Sequence, residues 1–312
     1  MNFARRLLLL IVAAVIASAV SAQTFSDVSP NARATAMGGA SLAVQGDAYP
    51  TFGNAASPLL AIQYKSIQAG FGYTTFAGSA MRQYRMMAFG GFGRVALRHM
   101  VSVGGQFLIE PHNPATGLRS GAQRFDLGYG FKASDCVAVA VTGRYRRSYG
   151  HSGMAESVGD FDSGGFDVAL FGRWSVRAIE GAMFNFGAKI SYDSTSATVY
   201  DAYAFSPAVG AGLWVPFGDG HTLEPSVELR YGYGKAVQMT SAKVGIEYGL
   251  MQLLYFRCGG NVLYLNDSTT IGYGTVGVGV RFFHLQCDVA YSVGRRGTPM
   301  HNAVQFSVGL DF

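Results

Sequence analysis

The sequence is poor in charge and in cysteine, and each shortage argues against a class of protein. Charged residues make up 14% of the 312 residues, against about 25% in typical soluble domains. The formal net charge of +5 is too mild for a nucleic-acid binder, which concentrates basic residues on one face. The cysteines Cys136, Cys258 and Cys287 are odd in number and far apart, so they predict no disulfide framework. We interpret them as small apolar side chains, and a pairing of Cys258 with Cys287 stays open.

The sequence also lacks the residue patterns of common catalytic and metal sites. Its six histidines have no metal-ligand spacing, and no G-x-S-x-G, C-x-x-C or HExxH pattern occurs. The stretch from Gly272 to Gly277 matches G-x-G-x-x-G, but strand-like alternation continues through it to Phe282. A dinucleotide site needs a helix at that point. The sequence therefore predicts no enzyme, no cofactor and no metal.

Long apolar runs are missing after the N-terminus, and the one at the N-terminus is short. Arg5 and Arg6 precede an apolar stretch from Leu7 to Val20, and small residues end at Ala22. This layout predicts a secretory signal peptide over residues 1–22. An exported chain with 49% hydrophobic residues and no helical span leaves a closed β-barrel as the structure that can cross a membrane. We therefore expect the Gram-negative outer membrane as its location.

Alternation of polar and apolar residues dominates from residue 65 onward, as in Arg124 to Lys132. It predicts an all-β fold, a transmembrane outer-membrane barrel of about fourteen antiparallel strands. The predicted strands span residues 65–77, 83–94, 98–110, 121–132, 136–148, 164–175, 183–193, 203–214, 221–233, 239–248, 253–264, 271–281, 284–292 and 302–312. The longest connections follow odd strands, whereas those after strands two, four, ten and twelve are short. Such sorting of loops is typical of a barrel and gives a sandwich no advantage.

The two faces of the predicted strands and the two ends of the barrel divide the candidate site residues. We expect lumen-facing charges, paired with one another, at Arg124, Asp126, Asp167, Arg173, Arg281 and Asp288. We expect basic residues at the outer rim, facing lipopolysaccharide phosphates, an acidic partner or solvent, at Arg144, Arg146, Arg147, Arg295 and Arg296. The last strand predicts an insertion signal for the barrel-insertion machinery at Phe306, Val308, Leu310 and Phe312. The acidic loop containing Asp160, Asp162 and Asp167 resembles a calcium loop in part, with a solvated tip as the simpler interpretation.

The stretch NARATAMGGASLAVQGDAY, residues 31–49, is rich in small residues and is interrupted by Gly38 and Gly39. We interpret residues 23–63 as a short, partly helical plug or periplasmic segment before a barrel of residues 64–312. Thin side chains suit a segment packed within or beneath a barrel. Its candidate anchoring residues are Arg33, Met37, Gly38, Gly39, Asp47 and Asn54.

The same segment resembles the N-terminal signature of the PorV/PorQ family, which groups with FadL-like long-chain fatty-acid transporter barrels. The matching stretches are Ala32 to Ala34, Met37 to Ala40, Ala43 to Val44, Gly46 to Ala48 and Asn54 to Ala56. At the last of these the family usually has Asn-Pro-Ala. The resemblance implies a fourteen-stranded barrel and a role as an accessory subunit of type IX secretion, with protein partners in an outer-membrane complex. The alternative is a FadL-like channel for hydrophobic solutes, gated by its N-terminal plug. A general porin ranks last because the lumen has few charges.

Overall fold

The computed structural model describes residues 29–46, 48–62, 65–77, 84–109, 121–149, 161–194, 205–233, 238–265, 269–294 and 300–312. Within these residues, no helix is long and apolar enough to cross a membrane. Fourteen antiparallel strands form a closed barrel in which each strand pairs with its neighbours in sequence and β14 pairs with β1. The predicted fold class is confirmed.

The strands begin and end within three residues of the predicted bounds. They are β1 Ile67–Phe76, β2 Arg85–Ala96, β3 His99–Ile109, β4 Gly121–Lys132, β5 Val137–Tyr149, β6 Phe161–Ser175, β7 Met183–Asp193, β8 Phe205–Phe217, β9 His221–Tyr233, β10 Gln238–Leu250, β11 Leu254–Leu265, β12 Thr269–Phe282, β13 Leu285–Gly294 and β14 Ala303–Asp311. Among the described residues before β1, two short helices occur, α1 at Ala32–Ala36 and a 3-10 helix at Ser57–Leu60.

Strand alternation sorts the side chains into an apolar outer face and a more polar lumen. Every strand carries large apolar side chains that are exposed on the outside, such as Phe125, Leu127 and Tyr129 on β4. The residues that alternate with them, such as Arg124 and Asp126, face inward and are buried. A continuous apolar outer surface with a polar interior is the arrangement that a lipid bilayer requires of a barrel.

The two ends of the barrel differ in their connections. At the end where β1 begins, which we call the turn end, the links are short, such as Leu97–Arg98 and Phe283–His284. At the opposite, loop end lie the long connections 110–120, 150–160 and 194–204. The links 234–237 and 266–268, also at the loop end, are as short as the turns. The longest connections thus follow odd strands, as the sequence predicts.

The segment before β1 lies inside the barrel rather than beneath it. Residues 29–46 and 48–62, which we call the plug, are buried almost throughout. The helix α1 packs on β12 and β13, and the 3-10 helix packs on β4, β5 and β6. Leu59 and Leu60 of the plug share a buried apolar cluster with Phe92, Met100 and Phe171 of the wall. The plug therefore forms a core within the turn-end part of the lumen.

Candidate functional site: the barrel lumen

The plug is joined to the barrel wall by a buried ionic network centred on Arg33. The α1 helix holds Arg33 so that its guanidinium donates to Glu247, with Nε–Oε2 at 2.7 Å, and to Glu224, with Nη2–Oε2 at 3.1 Å. A third bond reaches the Gln45 carbonyl within the plug. All of these side chains are buried. Because a buried charge needs both an opposite charge and hydrogen bonds, this arrangement ties the position of α1 to β9 and β10.

The network continues along the wall to β13. Arg257 of β11 donates to Glu247 at 2.5 Å and to Asp288 at 2.7 Å. The second bond must cross β12, and it does so at Gly279, where an added Cβ would overlap the Asp288 carboxylate and the Arg257 guanidinium. Glu224, Glu247, Arg257 and Asp288 are each the fourth residue from the turn end of their strands. These charges therefore form one layer of the lumen.

Backbone groups of the plug bind a second set of wall charges. The amides of Ser41 and Leu42 donate to the Glu228 carboxylate at 3.0 and 3.2 Å. Lys189 donates to the carbonyls of Phe52 and Gly53 at 3.1 and 2.8 Å. Irregular backbone inside a barrel has no neighbouring strand to satisfy it, so the wall provides these partners instead.

Asn54 and Arg173 also bind backbone groups of the plug, in the part nearer the 3-10 helix. The Asn54 amide donates to the carbonyls of Leu42 and Leu170, and its oxygen accepts from the Ala56 amide. Arg173 was expected to pair with a lumen carboxylate, and this expectation is wrong. Its guanidinium donates to the Leu60 carbonyl and, at 3.0 Å, to the Gln45 side chain. The plug offers carbonyl acceptors at that point, which strand alternation alone does not reveal.

At Gly38 the backbone of the plug packs directly against the backbone of the wall. It adopts a φ of +67°, and an added Cβ would lie 2.5 Å from the Gly260 backbone and 2.7 Å from the Val244 carbonyl. The neighbouring Met37 is fully buried, and its carbonyl would meet a Cβ at Gly245 at 2.5 Å. The glycines on both sides therefore allow backbone to pack directly on backbone. This contact accounts physically for the Met37, Gly38 and Gly39 stretch.

Toward the loop end, one side of the lumen is a charged wall formed by β4 to β7. Arg124 binds Asp126 at 2.6 Å, and Arg144 binds Asp167 at 2.5 Å and Asp193 at 2.9 Å. The prediction that Arg144 and Arg146 lie at the outer rim is wrong. Both point into the lumen, where Arg146 lies 3.4 Å from Asp193. They alternate with the exposed Tyr145, so strand parity brings them inside.

Beside this wall, and continuous with it through the β3–β4 pair, is an apolar group formed by β1, β2, β3 and β14. Phe76, Met86, Leu108, Met300 and Ala303 form a buried cluster on which Tyr84, Ala122 and Tyr273 pack. Every strand member of the cluster lies near the loop end of its strand. The loop-end lumen therefore has two adjoining sectors, one with ion pairs and the next with apolar side chains.

The remaining predicted residues fall in different surroundings. Arg147 is exposed and lies 4.0 Å from Asp162, which also accepts a hydrogen bond from Tyr145. Since Asp167 is bound to Arg144 inside the lumen, it does not share a surface with the exposed Asp162 of the supposed calcium loop. Arg281 faces the lumen and lies 3.8 Å from Asp311. Asp47, Asp160, Arg295 and Arg296 lie outside the described residues.

The last strand and the cysteines lie on the outer surface. Phe306, Val308, Leu310 and Phe312 are exposed there, and the Phe312 carbonyl accepts from the amides of Ser66 and Ile67. Their role as an insertion signal stays a prediction. Cys258 and Cys287 are exposed and free, with β12 between their strands, so they do not pair.

Several residues that hold the plug were missed by sequence reasoning. They are Gln45, Lys189, Glu224, Glu228, Lys243, Glu247 and Arg257. The wall members occupy positions of lumen parity on predicted strands, so parity was an available signal. Gln45 had no such signal.

Comparison with known proteins places the fold. No protein-family model matches the chain, and no curated protein matches its sequence. A FadL homologue of Pseudomonas aeruginosa matches with a TM-score of 0.58 at 12% identity, covering 90% of this chain and 98% of that one. The toluene transporter TodX of Pseudomonas putida gives 0.60 at 12%, covering 91% and 98%. The toluene transporter TbuX of Ralstonia pickettii gives 0.55 at 13%, covering 92% and 98%. The chain therefore has the FadL-like barrel fold.

Proposed function

We propose that this protein is an outer-membrane channel for small hydrophobic molecules, with its turn end in the periplasm and its loop end outside the cell. The apolar outer surface suits a bilayer. Short turns on the periplasmic side and long loops outside set the orientation. The similar structures carry the names of toluene transporters and of a FadL homologue. As a non-enzymatic channel, the barrel needs no cofactor.

The apolar wall of the loop-end lumen is the observation that carries this proposal. A water-filled pore has a polar interior, whereas Phe76, Met86, Leu108 and Met300 lie together inside this barrel. Small-molecule sites are mostly apolar, with a few polar groups that fix orientation. The adjoining charged wall supplies such groups. A hydrophobic solute entering from outside would meet this cluster before it reached the plug.

Uptake of radiolabelled toluene tests the proposal in a Gram-negative host that has no such channel. The double variant Met86→Gln, Leu108→Gln puts amides into the apolar wall and should slow uptake roughly ten-fold, because an unpaired buried amide costs about 1–3 kcal/mol. The matched control Met86→Leu, Leu108→Met keeps the wall apolar and should transport normally. Heat-modifiable migration on gels checks that both variants fold. Equal uptake by all three proteins, or by cells without the barrel, contradicts the proposal.

On this proposal the plug controls passage, because it occupies the turn-end lumen. Single-channel conductance of a variant lacking residues 31–60 measures this directly. The deletion removes the contacts from Arg33 to Leu60 and should raise conductance. A channel with unchanged conductance would show that the plug is not a gate.

The resemblance to PorV/PorQ supports a second hypothesis, an accessory subunit of a secretion or surface-attachment complex. Its support is confined to the N-terminal sequence, where Met37, Gly38 and Asn54 pack against the wall. That packing accounts for these residues without a secreted cargo. Affinity purification from native outer membranes distinguishes the two functions. Stoichiometric protein partners favour the secretion complex, and a lone barrel favours the channel.

A further inference from the structure

A cavity of about 280 Å³ lies between the turn-end side of the plug and the barrel wall. Plug residues, including Arg33 and Gln45, form one side of it. Residues of β8 to β13, including Trp214 and Tyr255, form the other. It is distinct from the apolar wall, which lies at the opposite end of the strands. Its volume suits a single small molecule, since larger drug-like ligands occupy about 300–1,000 Å³.

Cationic side chains outnumber carboxylates in the lining of this cavity. Four cations line it, Arg33, Lys65, Arg257 and Arg281, and the two carboxylates are Glu224 and Glu247. Both carboxylates are already bound. Arg33 binds each of them, and Arg257 also binds Glu247 at 2.5 Å. The acidic partner of the other Arg257 nitrogen, Asp288, lies outside the lining. Arg33 and Arg257 are therefore matched by three carboxylates, and the positive charge of the lining that remains belongs to Lys65 and Arg281.

The surplus of positive charge is concentrated at Lys65 and Arg281. Both share one carboxylate, Asp311, whose oxygen lies 2.5 Å from the Lys65 ammonium and 3.8 Å from the Arg281 guanidinium. His284 lies 3.8 Å from the same carboxylate. Burial, followed by repulsion from Arg281, lowers the pKa of Lys65 to about 8 despite the opposing effect of Asp311. Two cations held close together in a partly dehydrated position are stabilised by an added anion.

We propose that this cavity is a binding site for a small organic anion, with the negative group between Lys65 and Arg281 and the organic part toward Trp214 and Tyr255. This proposal rests on the proposed function in one respect only, the orientation of the barrel, which places the cavity on the periplasmic side of the membrane. A carboxylate fits the site chemically because ammonium and guanidinium groups donate to it with charge-assisted hydrogen bonds. The aromatic side chains provide apolar surface for the rest of the molecule.

Tryptophan fluorescence provides a local readout, because the chain has two tryptophans. Trp174 is half-exposed on the outer face, and Trp214 lines the cavity. In a Trp174→Phe protein, purified whole in detergent, the signal comes from Trp214 alone. Benzoate should change the Trp214 fluorescence saturably. Benzamide has the same shape without the charge and should bind roughly ten-fold more weakly, because a charged hydrogen-bond partner is lost.

Variants at the mouth of the cavity complete the test. Lys65→Met and Arg281→Gln should each weaken benzoate binding, and Lys65→Arg should retain it. Lys132 is a cation at the same turn end of the barrel, but it pairs with the exposed Asp135. Lys132→Met should therefore leave benzoate binding unchanged. Gel migration identifies any variant that fails to fold. If one of Lys65→Met and Arg281→Gln does not fold, benzoate binding by the other variant tests the proposal. Benzamide binding as tightly as benzoate, or a benzoate affinity unaffected by either site variant, overturns the proposal. Toluene uptake is measured separately, so failure of one proposal leaves the other standing.

Discussion

The buried charges of the barrel wall find different partners in the two halves of the lumen. In the turn-end half, the wall charges bind a segment of the same chain, with Arg33 reaching two carboxylates and Lys189 reaching two carbonyls. In the loop-end half, the wall charges bind each other, as Arg144 does with Asp167 and Asp193. The neighbouring sector of that half, on β14, β1, β2 and β3, is apolar. The first half is thus built around a segment of the same chain, and the second combines ion pairs within the wall with a buried apolar cluster.

This difference indicates which half tolerates change. Where polar groups of plug and wall satisfy each other, removal of one member leaves the others buried without a partner. Where apolar side chains line the lumen, exchange for another apolar residue of similar volume has a small cost. We therefore expect substitutions in the turn-end half to alter stability, and those in the apolar wall to alter passage of solutes.

The largest effect is expected from Arg33→Met. The variant keeps much of the side-chain volume but leaves Glu224 and Glu247 without their plug partner. Breaking a buried ion pair from one side costs about 3–5 kcal/mol. The midpoint of unfolding in denaturant, followed by heat-modifiable gel migration, should fall accordingly. Restoring most of the stability by adding Glu224→Gln would support the assignment, and an unchanged midpoint for Arg33→Met would contradict it.

Gly38→Ala should have the next largest effect, about 2–4 kcal/mol from left-handed strain and overpacking together. Its Cβ would lie within 2.7 Å of the wall backbone at Gly260 and Val244. The neighbouring Gly39→Ala is the matched control, since its φ is also positive, at +83°, but its Cβ meets only the flexible Lys243 side chain at 3.5 Å or more. The difference between the two variants measures the close contact itself. Equal losses would show that backbone strain alone decides.

Lys65 makes stability depend on pH. Its ordinary pKa of 10.5 falls to about 8 in the folded barrel, chiefly because it is buried. Between these two values the unfolded chain binds more protons than the folded one, so stability should rise as the pH increases from about 8 to 10.5. The gain is at most about 3 kcal/mol, since one pKa unit corresponds to 1.36 kcal/mol. Unfolding midpoints across this range, compared with those of Lys65→Met, isolate the contribution. A wild-type curve parallel to that of the variant would contradict it.

Alternation and loop length were sufficient to predict the barrel, because a strand of period two shows its two faces directly in the sequence. They also placed Arg124, Asp126 and Asp288 on the lumen side. They could not show that Arg173 binds plug carbonyls, because that contact depends on how an irregular segment folds inside the barrel. Glu224 and Glu247 had the correct parity, but nothing in their strands indicated that Arg33, about 200 residues away, would be their partner.

The smallest effect is expected from Arg147→Met, in the stretch where Arg144, Arg146 and Arg147 looked alike in the sequence. Arg147 is about half exposed and lies 4.0 Å from an equally exposed Asp162. Such surface pairs contribute about 0–1 kcal/mol, and salt screens them. The matched Arg144→Met removes a guanidinium that serves Asp126, Asp167 and Asp193, so it should cost several times more. Unfolding midpoints at low and high salt compare the two. A similar loss of stability for both variants would mean that the lumen network is as weak as a surface pair. A larger loss for Arg147→Met would mean that the arginine at the rim contributes more to stability than the one in the lumen.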